Sequence, residues 1–138
     1  MVCVLRNVDI YYILILSMIL LFYNYLTTMS DSPTVICLKG KIHELGPNLE
    51  HAPNNYLYIG RRFTMGKWNL PGSIWANPYQ IKKYGDATLS LYRNYILSNP
   101  ALLQLLPTLK GKVLACWCHP GACHGDVLVD LYKEFVKE

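Results

Sequence analysis

Residues 112–137 read KVLACWCHPGACHGDVLVDLYKEFVK, and this stretch decides the fold prediction. Its first part, KVLACWC at 112–118, is apolar and β-prone, which is typical of a buried strand. Pro120 and Gly121 then favour a turn. From Asp126 to Lys137 the apolar residues recur at helical spacing, which predicts a final helix with one buried face. A strand, a turn and a helix in this order predict a βα unit.

The segments upstream of this unit extend the same pattern. Short apolar runs at 34–38 (TVICL) and 56–59 (YLYI) predict two further strands. Helical spacing of apolar residues predicts a helix over 86–99, and PALLQLL predicts a shorter one over 100–106. Glycine and proline recur through 63–85, which predicts a long ordered loop of the kind that often carries function. Strands alternating with helices predict a single small α/β domain, a short sheet with helices packed on it.

Composition excludes several other classes of protein. The chain has 138 residues, of which 52% are hydrophobic and 16% charged, so it suits one folded domain rather than a disordered segment. Its five cysteines do not form a disulfide framework, because three of them crowd into positions 116–123. The net charge of +4 does not require a nucleic-acid partner. The glycine-rich and metal-binding motifs of the common cofactor classes are absent, so no cofactor is expected from them.

The apolar residues concentrate in an amino-terminal segment, residues 1–29, ahead of the α/β domain predicted for residues 30–138. Residues 10–30 carry no charge, and 21 residues of helix span roughly 30 Å, enough to cross a bilayer. Residues 10–28 therefore predict a single-pass membrane anchor. The alternatives are a cleaved segment or translation that begins at Met29, which would leave a cytoplasmic domain.

The sequence between the last strand and the last helix contains the candidate chemistry. Cys116 and Cys118 point to the same face of a strand, and Cys123 and His124 enter the final helix. A helix start lowers the pKa of a nearby thiol and favours anions. We therefore interpret Cys123 as the first candidate nucleophile, Cys118 as the second, and His124 as an acid or base.

The same residues are open to two other interpretations. Zinc accepts thiolate and imidazole ligands, so Cys116, Cys118 and Cys123 with His119 or His124 would form a zinc site. Against this, C-x-C followed by C-H is not the usual C-x₂₋₄-C spacing. The third interpretation is structural: cysteine is often buried as a small apolar residue, and His124 would bond a loop carbonyl.

Four segments together resemble one known family. They are YIGRR at 58–62, SIWANPY at 73–79, LYRNYI at 91–96 and KGKVLACWCHPGACHGDVLVDLY at 110–132. Over residues 34–135 the chain is similar to the family catalogued as domain of unknown function 4326, which occurs in bacteria, phages and large DNA viruses. The resemblance implies an uncharacterised domain and brings no activity with it. The family positions fall on Gly60, Arg61, Ser73, Trp75, Asn77, Pro78, Cys116, Trp117, Cys118, Pro120, Cys123, His124, Gly125 and Asp126.

Several of these residues suit a common ligand pocket. Arg61 follows a strand end and would clamp a phosphate or carboxylate, unless it pairs with Asp126 on the surface. Asn77 would either hold its loop or contact a ligand, and Trp75 would either stack on a ring or lie in the core. The helix start at Gly125 and Asp126 would hold an anionic group.

Two functions are consistent with these features. The first is a small enzyme with a Cys/His site that acts on a phosphorylated or nucleotide-like ligand. The second is a non-catalytic module that binds a ligand or zinc, with or without a membrane tether. Metal analysis of the purified protein distinguishes them.

Overall fold

A computed structural model describes residues 7–118 and 120–136. The chain divides into two compact units, Met1–Asp31 and Ser32–Glu138. The first contains helix α1 (Asn7–Asp31). Among the described residues no helix is both long enough and apolar enough to cross a membrane, so the predicted transmembrane anchor is not supported.

The second unit has the predicted α/β architecture, a small parallel sheet with helices packed on it. Its strands are β1 (Thr34–Cys37), β2 (Tyr56–Tyr58) and β3 (Val113–Cys116). Its helices are α2 (Ile42–Leu45), α3 (Ile81–Tyr84), α4 (Thr88–Leu97), α5 (Pro100–Leu105) and α6 (His124–Phe135). Two 3₁₀ turns accompany them, Gly85–Ala87 before α4 and Leu106–Leu109 after α5. The predicted fold class is confirmed.

The boundaries of the elements differ from the predicted ones in physically simple ways. The final helix begins at His124 rather than Asp126, because Cys123 acts as its N-cap. The Cys123 sulfur accepts a hydrogen bond from the Gly125 N–H at 3.3 Å, which satisfies one of the unpaired donors at a helix start. The long loop predicted over 63–85 contains one helical turn, α3.

The sheet has the strand order β1-β3-β2, and both pairings are parallel. β3 is therefore the central strand, with Thr34 and Tyr56 on either side of Val113. Because all three strands run the same way, their last residues, Cys37, Tyr58 and Cys116, lie at one edge of the sheet. We call this the carboxyl edge. In open parallel sheets, ligands bind outside this edge.

Side chains of β3 enter two buried clusters. Leu114 and Cys116 pack in the larger cluster with residues of α4 and α6, including Tyr92 and Leu128. Ala115 packs in the smaller cluster, with loop residues that include aromatic side chains. This alternation is the period of two expected for a strand with both faces covered. The site residues at the end of β3 are therefore anchored in a packed strand.

Tyr92 of α4 provides a test of this packing. Its side chain is fully buried, and its hydroxyl donates a hydrogen bond to the Trp75 carbonyl at 2.6 Å. Burial raises the pKa of Tyr92 above its usual value, so the hydroxyl stays a donor. Tyr92→Phe leaves that buried carbonyl unsatisfied, and we expect the free energy of unfolding in urea to fall by about 1–3 kcal/mol.

Tyr95→Phe is the matched control for this prediction. Tyr95 lies one helical turn from Tyr92 and is half-buried. We expect its replacement to change the free energy of unfolding by less than about 0.5 kcal/mol. Equal losses in the two variants would mean that the Tyr92 hydroxyl makes no special contribution.

Candidate functional site

Three cysteines converge at the carboxyl edge. Cys116 is the last residue of β3, Cys118 follows it, and Cys123 caps α6. Their sulfur atoms all lie within 4.8 Å of one another. The fold brings them together because the strand end and the helix start meet at this edge of the sheet. The triad could hold a metal ion.

The distances between the sulfurs describe a compact cluster of free thiols. The Cys116 and Cys118 sulfurs are 3.7 Å apart, and the Cys123 sulfur lies 2.9 Å from Cys116 and 2.8 Å from Cys118. A tetrahedral zinc ion with Zn–S bonds of about 2.3 Å separates its sulfurs by roughly 3.8 Å. One distance therefore already matches, and the two shorter ones would have to lengthen by about 0.9 Å for a tetrahedral ion to bind. Cys116 and Cys123 are buried, whereas Cys118 is exposed.

His124 lies beside Cys118, outside the group of three side chains whose ligand atoms all lie within 4.8 Å of one another. Its Nε2 lies 2.8 Å from the Ile59 carbonyl oxygen and its Nδ1 lies 3.6 Å from the Cys118 sulfur. The carbonyl can only accept, so Nε2 carries the proton and Nδ1 presents its lone pair to the sulfur. The ring is buried and stands edge-on against Tyr92, with centroids 5.3 Å apart. Imidazole metal ligands are commonly oriented by this kind of carbonyl contact. His119, the other histidine predicted as a ligand, lies outside the described residues.

Hydrogen bonding within the cluster decides where its charge resides. Interactions with the Cys116 and Cys123 sulfurs, Cys116 foremost, lower the pKa of Cys118 far below its usual value. The same interactions, with Cys116 foremost, raise the pKa of Cys123, so this thiol keeps its proton. Burial lowers the pKa of His124, so the ring is neutral at pH 7. In the metal-free protein the negative charge therefore lies on Cys118, the accessible sulfur.

This charge distribution predicts the reactivity of the metal-free protein. A cysteine in a model peptide has a pKa of about 8.5, so its alkylation by iodoacetamide accelerates roughly 70-fold from pH 6 to pH 8. Cys118 is already a thiolate over this range. We expect its alkylation rate, followed by peptide mass spectrometry in EDTA, to change by less than about threefold. A rate for Cys118 that rises with pH as steeply as that of the model peptide would contradict the assignment.

A cavity of about 540 Å³ adjoins the cluster, and we call it the edge cavity. Four of the residues predicted for the site from the sequence line it, namely Cys118, His124, Arg61 and Asn77. The Asn77 side-chain oxygen accepts a hydrogen bond from the Tyr79 N–H at 2.9 Å, which fixes the loop. The volume falls within the range of small-molecule sites.

The structure places the other predicted ligand-binding residues elsewhere. Trp75 is buried in the core, where its carbonyl accepts the Tyr92 hydroxyl. Gly125 is buried at the start of α6, against Val35 and Ile59. Asp126 is exposed in the first turn of α6. Within the described part of the chain, none of Trp75, Gly125 and Asp126 lines the edge cavity.

A hydrogen-bonded relay joins the cysteine segment to the arginine segment. The Trp117 Nε1–H donates to the Tyr58 hydroxyl at 3.0 Å, and that hydroxyl donates to the Arg61 carbonyl at 2.7 Å. This arrangement requires glycine at position 60, because a Cβ on Gly60 would lie 2.4 Å from the Tyr58 hydroxyl oxygen. Trp117, the residue between Cys116 and Cys118, therefore helps to hold the backbone that follows β2 in place.

Sequence reasoning did not single out several cavity residues. Arg62, Tyr58, Tyr79 and Asp86 also line the edge cavity. Two of them lie in the motif YIGRR directly after a strand, so adjacency to Arg61 was an available signal. Tyr79 and Asp86 belong to the 63–85 loop and its junction with α4, and only the folded chain brings them to this edge.

Comparisons with known proteins were consistent with an uncharacterised domain. A family model described as "Domain of unknown function (DUF4326)" matches residues 46–134. "Uncharacterized protein R718" of Acanthamoeba polyphaga mimivirus is 38% identical over 112 residues, which cover 74% of this chain and 81% of that protein. No solved structure matches the chain.

Proposed function

The chain belongs to the DUF4326 family, as the motif resemblance predicted, and on that premise we propose that it is a zinc-binding α/β domain whose edge cavity takes a small anionic or nucleotide-like ligand. The observation that carries the proposal is the donor set at the carboxyl edge. Three sulfurs lie within 3.7 Å of one another, and the His124 Nδ1 lies 3.6 Å from the Cys118 sulfur.

The contact with Cys118 makes His124 the candidate fourth ligand, and metal binding would have to draw its ring closer to the other two sulfurs. With Zn–S of about 2.3 Å and Zn–N of about 2.05 Å, tetrahedral geometry separates a ligating sulfur from a ligating nitrogen by roughly 3.6 Å. The Cys118–His124 distance is 3.6 Å. Three thiolates and one imidazole form a closed set typical of structural zinc. The edge cavity then has the zinc centre as one of its walls, because Cys118 and His124 line it.

Zinc would supply a cross-link that the chain otherwise lacks at this edge. Cys116 belongs to β3 and Cys123 to the cap of α6. A metal bound to both fixes the helix start against the strand end. Its 2+ charge also offsets the mutual repulsion of three thiolates. We therefore assign the centre a structural role that shapes the cavity.

The proposal is tested by measuring metal content. The full chain is purified with a phosphine reductant and without chelator, and its zinc is counted by mass spectrometry. We expect about one zinc per chain. Replacement of zinc by Co²⁺ should produce the intense near-ultraviolet absorption of thiolate-to-cobalt charge transfer.

Matched variants identify the ligands. Single replacements by serine at Cys116, Cys118 and Cys123 should each lose the metal, whereas Cys37→Ser, at the end of β1, should keep it. His43→Ala, at an exposed histidine, is the control for His124→Ala. A wild-type chain that binds less than a tenth of an equivalent of zinc after incubation with the ion would overturn the proposal.

A second candidate function is a thiol enzyme, and the accessibility of Cys118 favours it. Cys118 is the exposed sulfur of the three, it faces the edge cavity, and the His124 Nδ1 lies within 3.6 Å of it. In this arrangement Cys118, already a thiolate in the metal-free protein, is the nucleophile, and the neutral His124 ring would act as a general base towards the ligand. Cys123, the other predicted nucleophile, is fully buried, and its sulfur lies 2.8 Å from that of Cys118.

Metal content also decides between these two functions. A thiol enzyme should be isolated without zinc, and iodoacetamide should modify Cys118 rapidly. Zinc-loaded protein should resist the same reagent until EDTA is added, because the metal occupies the thiolate lone pair. Equal alkylation rates with and without zinc would contradict the zinc centre and support the enzyme.

A further inference from the structure

The edge cavity places cationic and aromatic groups side by side. Tyr58 and the run from Gly60 to Phe63, which includes Arg61 and Arg62, form part of its wall. Phe63 packs against Trp117, with ring centroids 4.5 Å apart, and both line the cavity. A ligand in contact with this wall therefore meets guanidinium groups and flat apolar surfaces within a few residues of each other.

The two arginines are available to an external anion. Both are exposed, and neither forms an ion pair with another residue that the structure describes. Their backbone is fixed by the bond from Tyr58 to Arg61 and by a second bond from the Ser73 N–H to the Gly60 carbonyl, at 2.9 Å. Guanidinium groups on a fixed backbone suit bidentate contacts with a phosphate or carboxylate.

The rest of the wall combines an apolar surface with a few polar groups. Tyr79 and Leu89 contribute apolar area, and Asp86 and Asn77 contribute a carboxylate and an amide. Asn77 uses its side-chain oxygen within the loop, which leaves its amide N–H groups as donors. A mostly apolar cavity with a small number of polar groups is the usual form of a site for a planar organic ligand.

We propose that the edge cavity binds a ligand in which a planar ring carries one anionic group, the chemistry of a nucleoside monophosphate. The anionic group lies at Arg61 and Arg62, and the ring lies against the aromatic side chains that line the cavity, those of Phe63, Tyr79 and Trp117. This inference rests on the proposed function in one respect, that the cavity beside the cysteine cluster is a ligand pocket. It adds a two-point mode of recognition, in which neither the ring nor the anion suffices alone.

The test separates the two parts of the ligand. Binding of AMP and UMP to the zinc-loaded full chain is measured by isothermal titration calorimetry, beside adenosine and uridine (ring alone) and ribose 5-phosphate (anion alone). We expect at least one monophosphate to bind at least about tenfold more tightly than its nucleoside and than ribose 5-phosphate. The nucleoside lacks the contacts of the anionic group, and ribose 5-phosphate lacks the contacts of the ring.

Variants locate the site within the cavity. Arg61→Ala and Arg62→Ala should each weaken binding of that monophosphate by about tenfold or more, with little effect on folding, because both side chains are exposed. Leu89→Trp should also weaken it by filling the cavity. Arg93→Ala is the control, because Arg93 pairs with Glu134 and should leave binding unchanged.

Four results would overturn the inference. They are a nucleoside that binds as tightly as its monophosphate, ribose 5-phosphate that binds as tightly, no binding of any probe, and binding unaffected by the three cavity variants. Zinc is counted in the same samples, so the two proposals fail separately. A chain that holds zinc but binds neither monophosphate contradicts only the ligand proposal. A chain that takes up no zinc but shows the two-point pattern contradicts only the zinc proposal.

Discussion

Cys123→Ser is expected to weaken zinc binding by at least a hundredfold and to destabilise the zinc-loaded protein. The sulfur of Cys123 lies within 2.9 Å of both other sulfurs, so its removal takes away the ligand at the centre of the cluster. Structural zinc sites contribute about 10–16 kcal/mol in all, or roughly 2.5–4 kcal/mol for each of four ligands. We expect the free energy of unfolding in the presence of zinc to fall by about 3 kcal/mol or more.

The choice of serine separates the metal from the helix cap. Cys123 is also the N-cap of α6, and serine is a stronger N-cap than most residues. In EDTA, where no zinc is bound, Cys123→Ser and wild type should therefore differ by less than about 1 kcal/mol. Chemical denaturation of both proteins, each with zinc and with EDTA, measures the four free energies of unfolding. A similar loss in both conditions would show that Cys123 acts only through packing or capping.

Gly125→Val is expected to lower the free energy of unfolding by about 2–3 kcal/mol and to weaken zinc binding. A Cβ at Gly125 would meet Val35 side-chain carbons at 2.9 and 3.1 Å and the Ile59 Cδ1 at 3.1 Å. Overpacking of a core typically costs about 1–3 kcal/mol. The clash would push the start of α6 away from the sheet, and Cys123 and His124 would move with it.

Gly125→Ala tests the same packing, and for this variant helix propensity and core packing predict opposite changes in the free energy of unfolding. Helix propensity alone predicts that alanine stabilises a helix by about 0.5–1 kcal/mol relative to glycine. The contacts at Val35 predict the opposite for Gly125. Denaturant titration of the two Gly125 variants and of Ala101→Val, an exposed site in α5, should show a loss for each Gly125 variant and at Ala101 no more than the roughly 0.7 kcal/mol that helix propensity predicts. A Gly125→Ala protein more stable than wild type would disprove close packing of α6 on the sheet.

Much of the fold follows from local sequence patterns. The β-rich runs and the helical periodicity placed all three strands and the larger helices of the domain within a few residues of their observed positions. The start of α6 at His124 could not be placed as well, because cysteine is an uncommon N-cap and its sulfur takes that role only in the folded turn. The order β1-β3-β2 depends on long-range pairing, which the local pattern of a strand does not encode.

The candidate site was predictable as a set of residues but not as an arrangement. The sequence predicted Cys116, Cys118, Cys123 and His124 as one zinc alternative, although their spacing is unusual for zinc. Spacing rules describe ligands held by a local turn, whereas here β3 and the cap of α6 supply them from two elements. Trp75 shows the converse case, because a motif residue with a stacking surface is instead buried with its carbonyl bonded to Tyr92.

Zinc-edge X-ray absorption on the full chain, purified under reducing conditions, tests the central claim most directly. The account predicts a first shell of three sulfurs at about 2.3 Å and one nitrogen at about 2.0–2.1 Å, the latter with the outer-shell signal of an imidazole ring. His124→Ala should lose the nitrogen and keep the sulfurs, and Cys37→Ser should leave the spectrum unchanged. A shell made only of nitrogen and oxygen would contradict the Cys116, Cys118, Cys123 and His124 centre.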